Sequence, residues 1–166
     1  MKDLIAFPVL ALVLILQTAV VGHISLLSGY GDLMLVTLAA WALQKNVATA
    51  WHWAILGGLL VGFVSSIPWG VPLIGYLLMV AIARLLQRRV WQAPILAMFA
   101  ITLLGTLLVN FLSLMTLRLL GDPLPIADSF SLIILPSLFI NLLLAVPVYL
   151  LIRDLARWIY PMEEEA

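Results

Sequence analysis

The sequence predicts an all-α integral membrane protein, one bundle of about six transmembrane helices spread over residues 1–166. Three observations predict it. Hydrophobic residues make up 65% of the chain and charged residues only 10%, against about a quarter charged in a soluble domain, so a water-soluble fold of this length would leave dozens of Leu, Ile and Val in water. The uncharged stretches have the length of membrane spans and end at charges or at Pro and Gly. The basic residues fall almost entirely on one side of the spans so drawn.

A helix needs roughly 20 apolar residues to cross a hydrocarbon core of about 30 Å. The approximate spans are 4–24, 30–46, 49–66, 71–87, 93–117 and 129–152. The first follows Met1-Lys2-Asp3, and the apolar run from Leu4 to Val21 reads as a span rather than a signal peptide because more membrane segment follows it. Ser28-Gly29-Tyr30-Gly31-Asp32 separates it from the second. That span is the shortest, since only Leu33 to Gln44 lies between Asp32 and Lys45, and it needs Lys45 to snorkel to the interface. The uncharged run from Lys45 to Arg84 is too long for one helix, and the two prolines and glycine of Ser65-Ser66-Ile67-Pro68-Trp69-Gly70-Val71-Pro72 divide it into spans three and four. Span five starts near Ala93; Gly121-Asp122-Pro123-Leu124-Pro125 turns the chain into span six.

Six spans put Lys2, Lys45, Arg84, Arg88, Arg89, Arg153 and Arg157 on one side and Arg118 alone on the other. Omitting span two gives the worse division of six against two. The positive-inside rule then places both termini in the cytoplasm, with Asp32, Asp122 and Asp128 outside. Trp41, Trp51, Trp53, Trp69, Trp91, Trp158, Tyr30 and Tyr160 lie near span ends and read as interfacial anchors. A transmembrane β-barrel would alternate apolar and polar residues, whereas Val9 to Leu16 and Leu142 to Ile152 are almost continuously apolar.

A formal net charge of zero argues against nucleic acid as a partner. With no cysteine, disulfides, thiolate metal sites and cysteine nucleophiles are excluded. No His-Glu-x-x-His, Gly-x-Ser-x-Gly or Gly-x-x-x-x-Gly-Lys occurs, so the sequence predicts a protein that is not an enzyme and holds no cofactor or metal. His23 and His52, the only histidines, fall at opposite ends of the bilayer and cannot share a metal.

Binding residues are sought among polar groups inside spans, where a side chain without a partner is costly: Gln17, Thr18, Thr37, Thr102, Thr106, Asn110, Ser113 and Asn141. Asn110 and Asn141 have the reach to hydrogen-bond between helices. Gly58 and Gly62 form a small-xxx-small pair, continued by Ser66 and Gly70, that admits close approach of another helix, from this bundle or from a partner. Arg84, Arg88 and Arg89 form the densest basic cluster, suited to anionic membrane lipid or a cytoplasmic partner. The candidate partner-binding set is therefore Gly58, Gly62, Ser66, Asn110, Asn141, Arg84, Arg88 and Arg89.

The run Gly57-Gly58-Leu59-Leu60-Val61-Gly62-Phe63-Val64-Ser65-Ser66-Ile67-Pro68-Trp69-Gly70, with Gly31-Asp32-Leu33-Met34-Leu35-Val36 before it, resembles the rod shape-determining MreD family over the whole length of the chain. Members of that family have a short second span opened by a Pro-Asp-Leu-like step, a glycine-rich third span running into a Pro-Leu-Gly-like turn, and an arginine-bearing end to span four. Two departures stand out: Gly31 replaces the usual proline before Asp32, and Gly62 to Ser66 contain no acid where many members carry an Asp.

The resemblance implies a non-enzymatic scaffold of the bacterial cell-elongation machinery in the cytoplasmic membrane. It would bind an MreC-like single-span protein and contribute to rod shape and control of peptidoglycan synthesis, alongside MreB, the RodA glycosyltransferase and a penicillin-binding transpeptidase. The chain is also similar in length and span number to the membrane-embedded substrate-binding component of energy-coupling factor transporters, which implies a shared six-helix arrangement. Ala6, Ala11 and Ala19 do not fit the Ala-x-x-x-Ala-like docking step usual on span one of those components, and the Gly22 to Asp32 loop holds few groups for closing over a ligand.

Overall fold

A computed structural model describes residues 2–45, 47–89, 93–122 and 125–161. Outside the described residues lie Trp91 and the acidic run Glu163-Glu164-Glu165, and so do the side chains of Lys2 and Arg89. Among the described residues six helices carry the fold: α1 (Ala6–Ala19), α2 (Leu33–Ala42), α3 (Ala50–Val64), α4 (Gly70–Arg89), α5 (Pro94–Leu119) and α6 (Ile126–Ile159). A small hairpin between α1 and α2 pairs β1 (Ser25–Leu26) antiparallel to β2 (Gly29–Tyr30), with Ser25 opposite Tyr30 and Leu26 opposite Gly29.

Four segments are long and apolar enough to cross a membrane: Ala6–His23, Gly70–Arg88, Pro94–Leu119 and Ile126–Ile159. The chain is a multi-pass membrane protein, but the expected six spans are corrected to four. The ten residues of α2, at 1.5 Å per residue, reach about 15 Å, half of the hydrocarbon core. The 15 residues of α3 reach about 22 Å. The expected span 30–46 held residues that α2 does not use, because Tyr30 belongs to the hairpin and the helix stops at Ala42, before Lys45. Helix α3 breaks where Ser65 turns extended and its hydroxyl accepts the Ile67 N–H at 3.2 Å, just ahead of Pro68.

Nine of the ten residues of α2 are buried. A helix apolar all round has no face for water, and α2 is covered by the protein itself, packing against α1, α3, α4, α5 and α6. It is the centre of the bundle. Trp41 near its end stacks on Trp53 of α3, with ring centroids 3.9 Å apart and planes at 16°, and both rings are buried. These two tryptophans are core residues, contrary to their expected role as anchors. Trp51, Trp69, Trp158 and Tyr30 are exposed, as an interfacial side chain should be.

Helices α3 and α4 approach until their backbones touch. A Cβ at Gly58 would stand 2.6 Å from Leu73 Cα, and one at Gly62 would stand 2.9 Å from Trp69 Cα. The small-residue face is thus occupied by the chain's own α4 and the turn before it, which makes Gly58 and Gly62 internal packing positions.

One turn into helix α6 comes a π-helical stretch, Phe130–Ile134, closed by the Leu135 N–H bonding to the Phe130 carbonyl five residues back. The stretch precedes Pro136, which has no N–H to offer the Leu132 carbonyl four residues earlier. That carbonyl is taken up by the hairpin: Ser28 donates its N–H to it at 3.0 Å. Two residues on, the Tyr30 N–H bonds to Ser137 Oγ at 3.1 Å, and two further the Asp32 N–H bonds to Asn141 Oδ1 at 2.7 Å. Alternate residues of an extended segment thereby meet successive turns of one helix. The approach is close enough that a Cβ at Gly29 would lie 2.7 Å from the Ile133 carbonyl oxygen.

Candidate functional site

The first turn of α2 ends inside the protein, so its amide groups, which no helical carbonyl can reach, need side chains. Asp32 is the N-cap, its Oδ1 accepting the Leu35 N–H at 2.9 Å. The Gln17 Oε1 of α1 accepts the Met34 N–H at 2.9 Å. Tyr76 of α4 donates its hydroxyl to the Asp32 carboxylate, 2.8 Å from Oδ2 and 3.0 Å from Oδ1. Asn141 of α6, holding the Asp32 N–H through Oδ1, donates from Nδ2 to Thr106 Oγ1 of α5 at 2.9 Å. Five helices are joined around one helix end, and Asp32, expected in an outer loop, stands in the middle of them.

Beside this network lies a cavity of about 300 Å³. Its polar lining comes from Gln17 and Thr18, Tyr30, Asp32, Ser65 and Ser66, Tyr76, Thr106, Asn110, Ser113, Ser137 and Asn141. These are the last turn of α1, the hairpin, the head of α2, the end of α3 and the flanks of α4 to α6. The cavity therefore sits at the end of the bundle opposite the start of α1 and the end of α6. Its physical origin is the length of α2: a half-length helix ringed by longer ones leaves the space above its N-terminus unfilled. Asp32 is the only lining residue with a carboxyl group, and the others include no Lys, Arg or His.

The expected binding residues divide between this cavity and other places. Asn110, Asn141 and Ser66 line it; Asn110 Nδ2 donates to the Thr106 carbonyl at 2.9 Å, Asn141 is buried and Ser66 is exposed at the rim. Gly58 and Gly62 lie in the α3–α4 contact. Arg84 is at the other end of the bundle, where its guanidinium donates to the Val47 carbonyl and, at 3.1 Å, to Gln87 Oε1, while Gln87 Nε2 donates to the Leu43 carbonyl at 3.3 Å. Arg84 so closes the α2–α3 connection. Arg88 is exposed beside it.

Sequence reasoning named Gln17, Thr106, Asn110, Ser113 and Asn141 individually but missed Tyr76 and Ser137. A phenol within an apolar span carries its own signal, because a buried hydroxyl requires a partner, and Asp32 is the strongest acceptor near that depth. Comparison of the chain with protein-family models, with curated proteins and with solved structures finds no match.

Proposed function

We propose that this chain is a non-enzymatic scaffold of the bacterial cell-elongation machinery, similar to the MreD family, that resides in the cytoplasmic membrane with both termini inside. Its partner is an MreC-like single-span protein, and through it the chain contributes to rod shape and to control of peptidoglycan synthesis by the RodA glycosyltransferase, a penicillin-binding transpeptidase and MreB. The observation that supports the reading most is that the residues carrying the resemblance form one packed unit. Asp32 of the Gly31-Asp32-Leu33 step is bonded to Tyr76 of α4, Gly58 of the glycine run packs on Leu73 of the same helix, and Gly62 packs on Trp69 of the Pro68-Trp69-Gly70 turn. Motifs distant in sequence thus serve a single contact, as family-defining motifs of a fold would.

With the glycine face used internally, the partner's helix docks on the lipid-facing side. Such contacts draw on close packing and hydrogen bonds, since lipid gives no hydrophobic drive between helices. The exposed apolar surfaces of α1 (Phe7, Leu12, Ile15), α5 (Leu104, Phe111) and α6 (Phe139, Leu143) are the available faces. Photo-crosslinkers at Leu12, Phe111 and Leu143 in cells should yield an adduct with the MreC-like protein from at least one position. Failure at all three, together with failure of the tagged chain to co-purify that protein, overturns the reading.

The proposed orientation has its own test. A cysteine at Asp122 should react with an impermeant maleimide from outside intact cells, and one at Arg88 should react only after lysis. Labelling at position 88 from outside reverses the orientation.

The polar cavity favours a second reading, the substrate-binding component of an energy-coupling factor-type transporter. On that reading the tagged chain co-purifies a membrane coupling subunit and a pair of ATPases in place of the MreC-like protein.

A further inference from the structure

We propose that the cavity above α2 is a binding site for a small organic ammonium compound, of amino-alcohol or diamine size, whose charged nitrogen rests on the Asp32 carboxylate. The inference rests on neither reading of the chain's wider role, because a scaffold and a transport component are both able to carry such a site.

Charge selects the ligand's sign. Asp32 is the one carboxyl group on the wall, with no Lys, Arg or His beside it. The positive end of the α2 dipole, which elsewhere attracts anions, is already matched by Asp32 Oδ1 at the Leu35 amide. An incoming anion would face the carboxyl oxygens; an ammonium group would supply donors and the opposite charge, which favours the carboxylate form. The exposed Asp122 and Asp128, near the same end of the bundle, add to the negative field that draws cations in, and Arg118 opposes it.

Hydrogen-bond capacity selects the chemistry. A carboxylate offers about four acceptor positions; the Leu35 amide and the Tyr76 hydroxyl take two, and the Met34 amide also bears on the group. The remaining acceptor positions match an ammonium N–H. Asn110 uses its Nδ2 on the Thr106 carbonyl, and among the described residues its Oδ1 has no donor, which leaves an acceptor for a hydroxyl or second amine on the ligand. Tyr30 and Tyr76 add aromatic rings to the wall, surfaces that attract a cation placed over them. A metal ion fits this wall poorly, because no three His, Cys, Asp or Glu side chains come together among the described residues. The volume of about 300 Å³ is at the small end of ligand pockets, right for a compact amine and too small for a lipid.

The test uses the full chain in nanodiscs, with ethanolamine and putrescine, which carry ammonium N–H groups, and choline, which carries the charge without them, as probes, and 3,3-dimethylbutanol as the uncharged shape analogue of choline. At least one cation at millimolar concentration should raise the melting temperature, as a ligand bound only to the folded state must, and the neutral analogue should not. Asp32→Asn keeps the capping oxygen and the Tyr76 contact while removing the charge, and should weaken binding at least about tenfold. Asn110→Ala, which touches neither the cap nor the α2 network, should weaken it by a smaller factor. The proposal is overturned if none of the three cations shifts the melting temperature, if the neutral analogue shifts it equally, or if affinity survives Asp32→Asn unchanged. Co-purification of the MreC-like partner is unaffected by any of those results, so the site and the scaffold reading stand or fall separately.

Discussion

Gly58→Leu should abolish the folded protein. An added Cβ at this position lies 2.6 Å from the backbone Cα of Leu73 and 3.1 Å from its Cδ1, and a side-chain rotation elsewhere cannot relieve a clash with backbone. Overpacking of a close contact costs about 1–3 kcal/mol when side chains can yield and more when they cannot. The cost here should exceed about 4 kcal/mol, in the range where a named steric cause is required and comparable with the whole stability of an ordinary domain. The measurement is the monodisperse fraction on size exclusion and the melting temperature in detergent. Gly70→Ala is the matched control: nothing lies within 4 Å of its would-be Cβ, and it should leave both values within error. If Gly58→Leu instead folds normally and loses only its partner, the α3–α4 contact is wrong and the glycine face is a docking surface after all.

The second large effect belongs to Asp32→Ala. Loss of an N-cap oxygen costs about 1 kcal/mol, and stranding the buried Tyr76 hydroxyl without its acceptor costs about 1–3 kcal/mol more. A combined loss of about 3 kcal/mol should lower the melting temperature by roughly 10 °C for a chain of this size. Tyr76→Phe alone should cost about 1 kcal/mol. The informative quantity is their coupling: in the double variant no hydroxyl is left stranded, so the two losses should fall short of additivity by about 1 kcal/mol or more. Strict additivity would mean that the two side chains do not interact.

These two positions also mark the limit of what the sequence discloses about a membrane protein. Composition and span-length runs identified the solvent and the helical class, because both follow from the cost of unpaired backbone groups in lipid. Which residues face inward was not legible, since hydrocarbon tails and a protein core are equally apolar: Trp41 and Trp53 are buried while Trp69 and Trp158 are exposed, and no pattern of hydropathy separates them. Asp32 illustrates the same difficulty from the polar side. Its position at a charge boundary suggested a loop, whereas its partners, Tyr76 and Asn141, lie 44 and 109 residues away. The polar set inside the spans was legible, because each member breaks an apolar run; its convergence on one cavity depends on where α2 stops, and that is set by tertiary contacts.

The length of α2 bears finally on how the chain enters the bilayer. Ten residues are about half of what a helix needs to partition into hydrocarbon unaided, and the partners that satisfy its first-turn amides include Gln17 upstream as well as Asp32 itself. The Asp32 amide waits for Asn141, which the ribosome adds more than a hundred residues later. Until then the segment lacks part of its polar partnership, so its packing at the centre of the bundle should follow the synthesis of α6. Truncation before α6 should accordingly leave the Leu33–Ala42 segment open to aqueous labelling while α4 and α5 are already inserted.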